Sequence, residues 1–287
     1  MREVLIISGK GGTGKTSMVG AFAALAKNKV LADCDVDAAN LYLLLNPRIK
    51  EEGKFYGSQL PVIDKEKCVE CGRCKEHCRF DAIHDYEVEK LFCEGCLVCY
   101  YVCPVDAIHL TDRLSGNWFV SETVYGPLVH AKLGIAEENS GKLVAEVRRK
   151  ARLIAETKKA DLIITDGPPG IGCPVVSALS GVDLAVIVTE PTVAGLHDLD
   201  RVVRVAKHFG IDHVVCINKY DLDEEKTKEI ENYCSSYQVE VAGKVSFSSL
   251  LTKAMLEGKS VVEAYPYSQV SREIERLWKR VKQKIVQ

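Results

Sequence analysis

Eight of the twelve cysteines fall in two blocks of one pattern, "CVECGRCKEHC" at 68–78 and "CEGCLVCYYVC" at 93–103. Each block reads C-x2-C-x2-C-x3-C, and each is followed by a related hexapeptide, "RFDAIH" or "PVDAIH", so the segment is an internal repeat. Thiolates are soft ligands that suit iron–sulfur clusters and zinc. Three evenly spaced cysteines with a more distant fourth match the corners of a 4Fe–4S cluster, and two such blocks match two clusters. Tetrahedral zinc is the alternative, since it also uses C-x2-C pairs, but this spacing suits it less well. The candidate ligands are Cys68, Cys71, Cys74, Cys78, Cys93, Cys96, Cys99 and Cys103, with Arg79 standing where the second block has Pro104. The remaining cysteines, Cys34, Cys173, Cys216 and Cys234, are scattered. With no secretory signal pattern, the clustered cysteines read as metal ligands and not as disulfides, and a cytoplasmic location is expected.

A second chemistry, phosphate binding, is written at 9–16. "GKGGTGKT" matches G-x-x-x-x-G-K-[ST] between an apolar run at 3–8 and a helical pattern from 15 onward. Glycines there let backbone N–H groups close around phosphate oxygens, and the helix N-terminus adds its partial positive charge. The expected nucleotide-binding set is Gly9, Lys10, Gly11, Gly12, Thr13, Gly14, Lys15, Thr16 and Ser17, with Lys15 bridging the β and γ phosphates and Thr16 reaching Mg2+. Acidic loops follow two apolar runs, "ADCDVDAAN" with Asp35, Asp37 and Asn40, and "ITDGPPG" with Asp166. "INKYD" at 217–221 brings Asn218 and Lys219, in a pattern used for adenine or for guanine.

These loops need a scaffold. "EVLIIS", "KVLADCD", "DLIITDGPPG", "DLAVIVTEPT" and "HVVCINKYD" are β-branched runs ending in turn residues. Helical patterns separate them, including 195–209, 223–236 and the segment after Ser140, a candidate N-cap. Strands alternating with helices imply right-handed βαβ units, so the expected fold is α/β, a mostly parallel sheet with helices on both faces. Ligands in such sheets sit beyond the carboxyl ends of the strands, where every motif above falls. The expected division is a discontinuous α/β domain at 1–60 and 113–287 with an inserted α+β cysteine domain at 61–112. The stretch "LNPRIKEEGKFYGSQLP" reads as turn-rich, and 117–135 as two strands around Tyr125–Gly126–Pro127.

Composition adds limits. The net charge of −2 with 27% charged residues gives no electrostatic case for nucleic acid. No apolar run reaches the ~18 residues of a membrane span. The basic, amphipathic last segment, "SREIERLWKRVKQKIV", reads as a docked terminal helix, and a membrane partner is not expected.

"KGGTGKT" with Lys10 resembles the deviant Walker A loop of the MinD/Mrp/ParA ATPases, a class that includes the nitrogenase iron protein. The resemblance spans essentially the whole chain, and the cysteine repeat resembles a two-cluster bacterial ferredoxin. It implies ATP, Mg2+ and two 4Fe–4S clusters as cofactors, and a nucleotide-sandwich dimer in which Lys10 reaches the partner's phosphates. Asp35 takes the place of the first-switch aspartate that orients water and contacts the metal shell. Asp166 takes the Walker B position, with Gly167 to Gly170 as the second switch, so Thr16, Asp35 and Asp166 are the implied magnesium set and Lys10, Lys15, Asp35 and Asp166 the catalytic set. Asn218 matches the residue that recognises adenine in the family, while Asn-Lys-x-Asp is also a guanine-reading pattern. "GKVSFSS" lacks the Pro and Asp that relatives often carry there. In two-cluster ferredoxins the fourth cysteine serves the other cluster, which groups Cys68, Cys71, Cys74 and Cys103 for one and Cys93, Cys96, Cys99 and Cys78 for the second.

Cys173 lies seven residues after Asp166, the offset of the cluster ligand in the nitrogenase iron protein, and reads either as a dimer-axis thiolate or as a small buried thiol. His130 reads as structural or as a ligand or proton handler, and His197 as a possible nucleotide sensor. The combined expectation is a homodimer, or a heterodimer with a related ATPase, coupling ATP hydrolysis to electron transfer or cofactor assembly on an iron–sulfur or metallocofactor client. The alternatives are a positioning ATPase with structural clusters and a GTP-dependent metallochaperone.

Overall fold

The β-branched runs form strands, in chain order β1 (Arg2–Ser8), β2 (Lys29–Asp33), β3 (Arg48–Ile63), β4 (Ile83–His84), β5 (Glu87–Val88), β6 (Ile108–Thr123), β7 (Gly126–Leu133), β8 (Leu162–Pro169), β9 (Leu184–Thr189), β10 (His213–Asn218) and β11 (Glu240–Val245). This is a computed structural model and describes residues 1–287 apart from 39, 135–136, 138–140 and 287. Ser140, the expected N-cap, lies outside the described residues. The chain divides into two compact units, one of Met1–Gly53, Trp118–Lys132 and Asn139–Gln287, the other of Lys54–Asn117 and Leu133–Glu138. The second is wider than the expected 61–112.

In the first unit the order β11-β10-β9-β1-β8-β2-β7 is parallel throughout. β6 and β3 continue the order beyond β7, and the two-residue Val124–Tyr125 connection leaves β6 and β7 only an antiparallel pairing. Side chains alternate across a strand. Val4, Ile6, Ile164, Val186 and Val188 share a core with Met18 and Phe22 of helix Lys15–Leu25 and with Ile274 and Trp278 of helix Gln269–Val286. Their alternates Leu5, Ile7, Ile163 and Ile187 are equally buried, so both faces are covered and the sheet is α/β as expected. The last helix docks through Val270, Ile274, Leu277, Trp278, Val281 and Ile285, with the Phe22 and Trp278 ring centroids 4.8 Å apart. Among the described residues no helix is long and apolar enough to cross a membrane.

The expected turn-rich zone before the cysteines is instead the long strand β3. One of its two glycines, Gly53, leaves room for the Trp118 indole, which a Cβ would run into, and does not turn the chain. Cys34, Cys216 and Cys234 are core thiols, and burial pushes Cys216 up to about 12 and Cys234 to about 11.

The face opposite Trp278 holds a buried ion pair. Glu3 accepts from Arg148 at 2.7 and 2.9 Å, from Arg152 at 2.8 Å and from the Thr165 hydroxyl at 3.2 Å. Arg148 also donates to the carbonyls of Ser177 and Ser180, at the end of helix Cys173–Leu179.

The second unit repeats its backbone as well as its sequence. Left-handed φ values recur 25 residues apart, at Glu70 (54°) and Gly95 (65°), Gly72 (76°) and Leu97 (64°), and Asp81 (48°) and Asp106 (49°). Each block contributes a short helix, Arg73–Glu76 or Val98–Val102, and β4 pairs with β5 antiparallel. Ile63, Ile83 and Ile108 form its core with Cys74 and Cys99.

Removing one member of a buried pair strands the other charge. Glu3→Ala is expected to cost about 3–5 kcal/mol in urea unfolding, and Glu3→Met combined with Arg148→Met to recover most of it.

Candidate functional site

The loop after β1 leads into helix Lys15–Leu25 through Gly14, whose φ of 95° suits only glycine, and a Cβ there would also meet the Asn218 amide. Asn218, at the end of β10, donates to the Thr13 carbonyl at 2.7 Å, and Lys219 donates to the Gly12 carbonyl at 3.3 Å. The structure thus brings the Asn-Lys pair onto the glycine-rich loop from 205 residues away in sequence. Asp221 accepts from the Phe247 N–H at 2.7 Å. The neighbouring corner is fixed by a residue that sequence reasoning missed: Glu273 of the last helix accepts from the Ser246 N–H at 2.7 Å and hydroxyl at 2.8 Å.

Lys15 is buried, with its ammonium 3.5 Å from Asp35. Asp35 shares this end of the sheet with Asp166 and with Asp33, a further acid that no motif marks. Asp33 and Asp166 are register partners across β2 and β8, and Asp33 accepts from the Asp35 N–H at 3.2 Å. The signal was available, since alternate residues at a strand's end return to one side.

Burial pushes the Asp166 carboxyl up to about 7, with Lys15 and the Thr16 hydroxyl opposing and Asp35 reinforcing. Burial and the two neighbouring carboxylates hold Asp33 well above the usual range, and burial also raises Asp35 against the pull of Lys15. One oxygen of Asp33, one of Asp35 and both of Asp166 are buried without a hydrogen-bond partner of sound geometry, as are Thr13 Oγ1 and Asn218 Oδ1. Unpaired buried acceptors of this kind are what a divalent cation with its water, or a ligand's donor groups, would satisfy. Asp37 and Asn40 are exposed, and the Asp37 charge adds to the upward push on Asp35.

Lys10 does not point away from its own chain. Its ammonium lies 2.6 Å from one oxygen of Glu190, and Lys219 lies 2.9 Å from the other. The segment after Asp166 touches the loop through the Gly170 N–H, which donates to the Ser8 carbonyl at 2.9 Å.

The second unit carries two small cavities, each of about 20 Å³. Cys93, Cys96 and Cys99 line the first with Cys78, and Cys68, Cys71 and Cys74 line the second with Cys103. Each fourth sulfur accepts from an amide four residues on, Cys78 from Ala82 at 3.4 Å and Cys103 from Ala107 at 3.3 Å. Burial pushes Cys74, Cys93 and Cys99 up, Cys99 to about 11. Among the described residues no three His, Cys, Asp or Glu side chains gather closely enough to hold a single metal ion. Outside the cavities the repeats differ. Leu91, Phe92, Tyr100 and Tyr101 are exposed on the second block, where the first has Glu66, Lys67, Lys75 and Glu76.

A nucleotide-binding loop on this sheet has known counterparts. Residues 4–261 match the CobQ/CobB/MinD/ParA nucleotide binding domain. The chain belongs to that family. An uncharacterized protein of Methanocaldococcus jannaschii is 34% identical over 221 residues, 76% of this chain and 78% of its own. The pyruvate synthase subunit PorD of the same organism is 40% identical over 65 residues, 21% of this chain and 76% of its own. The cell division ATPase MinD of Pyrococcus furiosus shares the fold, with a TM-score of 0.60, 19% identity and 98% of each chain covered.

Not every candidate joins the family's loop cluster. Cys173 is exposed at the first position of helix Cys173–Leu179, and His197 is an exposed side chain 3.5 Å from Asp198. His130 is buried, shares a 3.1 Å hydrogen bond with Ser121, and stacks 5.1 Å from Phe119. Burial lowers its pKa from 6.5 to about 4, so the ring is neutral at pH 7. The unfolded chain takes up this proton near 6.5 and the folded one only near 4, so stability is lost as pH falls through that window. His130→Gln should flatten this part of the acid limb in urea midpoints measured from pH 7 to 4, and an NMR titration of His130 should give a value well below 6.

Proposed function

We propose that this chain is an ATP-hydrolysing dimer whose nucleotide switching governs a two-cluster iron–sulfur unit, and that it passes electrons, or an iron–sulfur or metal cofactor, to a client protein. The observation that carries the reading is the make-up of the two cavities, each uniting three cysteines of one block with the fourth of the other. A zinc site also uses C-x2-C pairs, but three evenly spaced cysteines joined by a distant fourth suit a cubane better. The repeated left-handed residues support the same reading. Leu97 holds a conformation that disfavours a branched side chain, which is tolerated where a site demands it.

Cys68, Cys71, Cys74 and Cys103 would hold one 4Fe–4S cluster, and Cys93, Cys96, Cys99 and Cys78 the other. When bound, such clusters supply one-electron chemistry at a potential set by hydrogen bonds and exposure. The chain's contribution is the amide donors of Ala82 and Ala107 to the swapped sulfurs and the apolar packing of Ile63, Ile83 and Ile108. The likeness of a 65-residue stretch to a pyruvate synthase subunit fits a redox role.

On the nucleotide side, the amides of 11–16 and Lys15 would bind the β and γ phosphates. Thr16, Asp35 and Asp166 would hold magnesium, with Asp33 beside them, which fits the unpartnered oxygens there. Asp35 would orient the attacking water, and Lys10 would act on the partner's phosphates. Asn218 keeps its carbonyl oxygen unpaired and so able to accept from an adenine amino group. Asp221 already gives one oxygen to the Phe247 N–H, which supports ATP over the two-hydrogen reading of guanine. The apolar face of the last helix lies in the core, so it supports no membrane-positioning role.

Cysteine assignment is testable by spectroscopy. Anaerobically reconstituted protein should hold about eight irons per chain, Cys68→Ser and Cys103→Ser should perturb one paramagnetic signal, and Cys93→Ser and Cys78→Ser the other. Coupling is testable by turnover. ATP hydrolysis should change several-fold between oxidised and reduced protein, with GTP a poor substrate, and equal rates would reduce the clusters to structural roles.

A further inference from the structure

Glu190 follows β9 and holds two lysines at once. Oε1 lies 2.6 Å from the Lys10 ammonium and Oε2 2.9 Å from that of Lys219. Its side chain is 14% exposed against 31% for Lys10, so the carboxylate is the sheltered, fixed member and the lysine the movable one. The Glu190 backbone is itself anchored, since its carbonyl accepts from the Thr192 N–H at 2.8 Å and Thr192 caps helix Val193–His208.

We infer that Glu190 is a positioning residue that parks Lys10 on its own subunit and sets how readily that lysine is released to a partner's phosphate. This rests on the reading that Lys10 acts across a dimer. The exchange is one anion for another: Lys10 gives up a carboxylate oxygen and gains a phosphate oxygen, so its charge never goes unpaired. The second lysine makes the exchange feasible from the other side. When Lys10 leaves, Lys219 still pairs Glu190 and still reaches the Gly12 carbonyl, so a largely buried carboxylate is not stranded. Burial alone would push the Glu190 carboxyl up, yet the hydrogen bonds and charges of both lysines hold it below the usual range, in keeping with an ionised hub.

A ligand shifts an equilibrium only by its preference between two states. The parked contact belongs to the open state alone, so weakening it favours closure. Glu190→Gln keeps the shape and removes the charge. The test is sedimentation of the full chain, reconstituted with its clusters, with ATPγS or ADP at rising protein concentration. Glu190→Gln should half-dimerise with ATPγS at a concentration at least about tenfold below wild type, since each dimer releases two parked lysines and each contact loses part of a charge-assisted hydrogen bond, and stay monomeric with ADP. Lys10→Ala should abolish the ATPγS dimer, and adding Glu190→Gln to it should change nothing. If Lys10→Ala dimerises normally, the cross-subunit reading of Lys10 fails, whatever Glu190 does. If Lys10→Ala is monomeric but Glu190→Gln dimerises at the wild-type concentration, the parking role is overturned. Should Glu190→Gln fold poorly, Glu190→Asp shortens the reach to Lys10, and the same leftward shift is required of it.

Discussion

Three carboxyl groups and one ammonium meet at the ends of two parallel strands, and the rest of the first unit is arranged around that imbalance. Register puts Asp33 beside Asp166, the turn after β2 adds Asp35, and Lys15 is the cation that answers them. All three acids are buried, so like charges repel strongly and the acids hold their protons more tightly than in solution. Such a cluster is poorly satisfied by itself and well satisfied by a divalent cation. The surrounding β-branched core does not create the imbalance, but it keeps the three acids from moving apart.

In the second unit the constraint is geometric. Each cavity is lined by three cysteines of one block and the fourth of the other, so neither block builds a cavity alone. The repeat of exposure makes the same point, with Cys74 and Cys99 buried and Cys71 and Cys96 exposed in matched positions. The backbone adopts the same left-handed turn at Gly72 and at Leu97, where the local residue preferences differ.

Much of this was legible in the chain. The glycine-rich loop, the parallel strands and both cysteine blocks stand where pattern and spacing put them, because each is a local signature with a mechanical cause. What escaped was non-local. Asp33 gains its meaning only from its neighbour across the sheet, Glu273 from a loop 27 residues earlier, and Glu190 from two lysines on separate loops. β3 was hidden because charged residues and Gly53 resemble a loop until Trp118 is seen against the glycine. His130 and Cys173 look alike as lone reactive residues, and only burial separates them.

The two cysteine blocks also make the unit nearly two-fold on the inside and lopsided on the outside. They agree at the sulfurs, the turn aspartates and the isoleucines after them, and the sulfurs and isoleucines build its interior. They differ at Leu91, Phe92, Tyr100 and Tyr101 against Glu66, Lys67, Lys75 and Glu76, all of them exposed. The unit is thus close to symmetric toward whatever it encloses and asymmetric toward whatever it meets, apolar at one block and charged at the other.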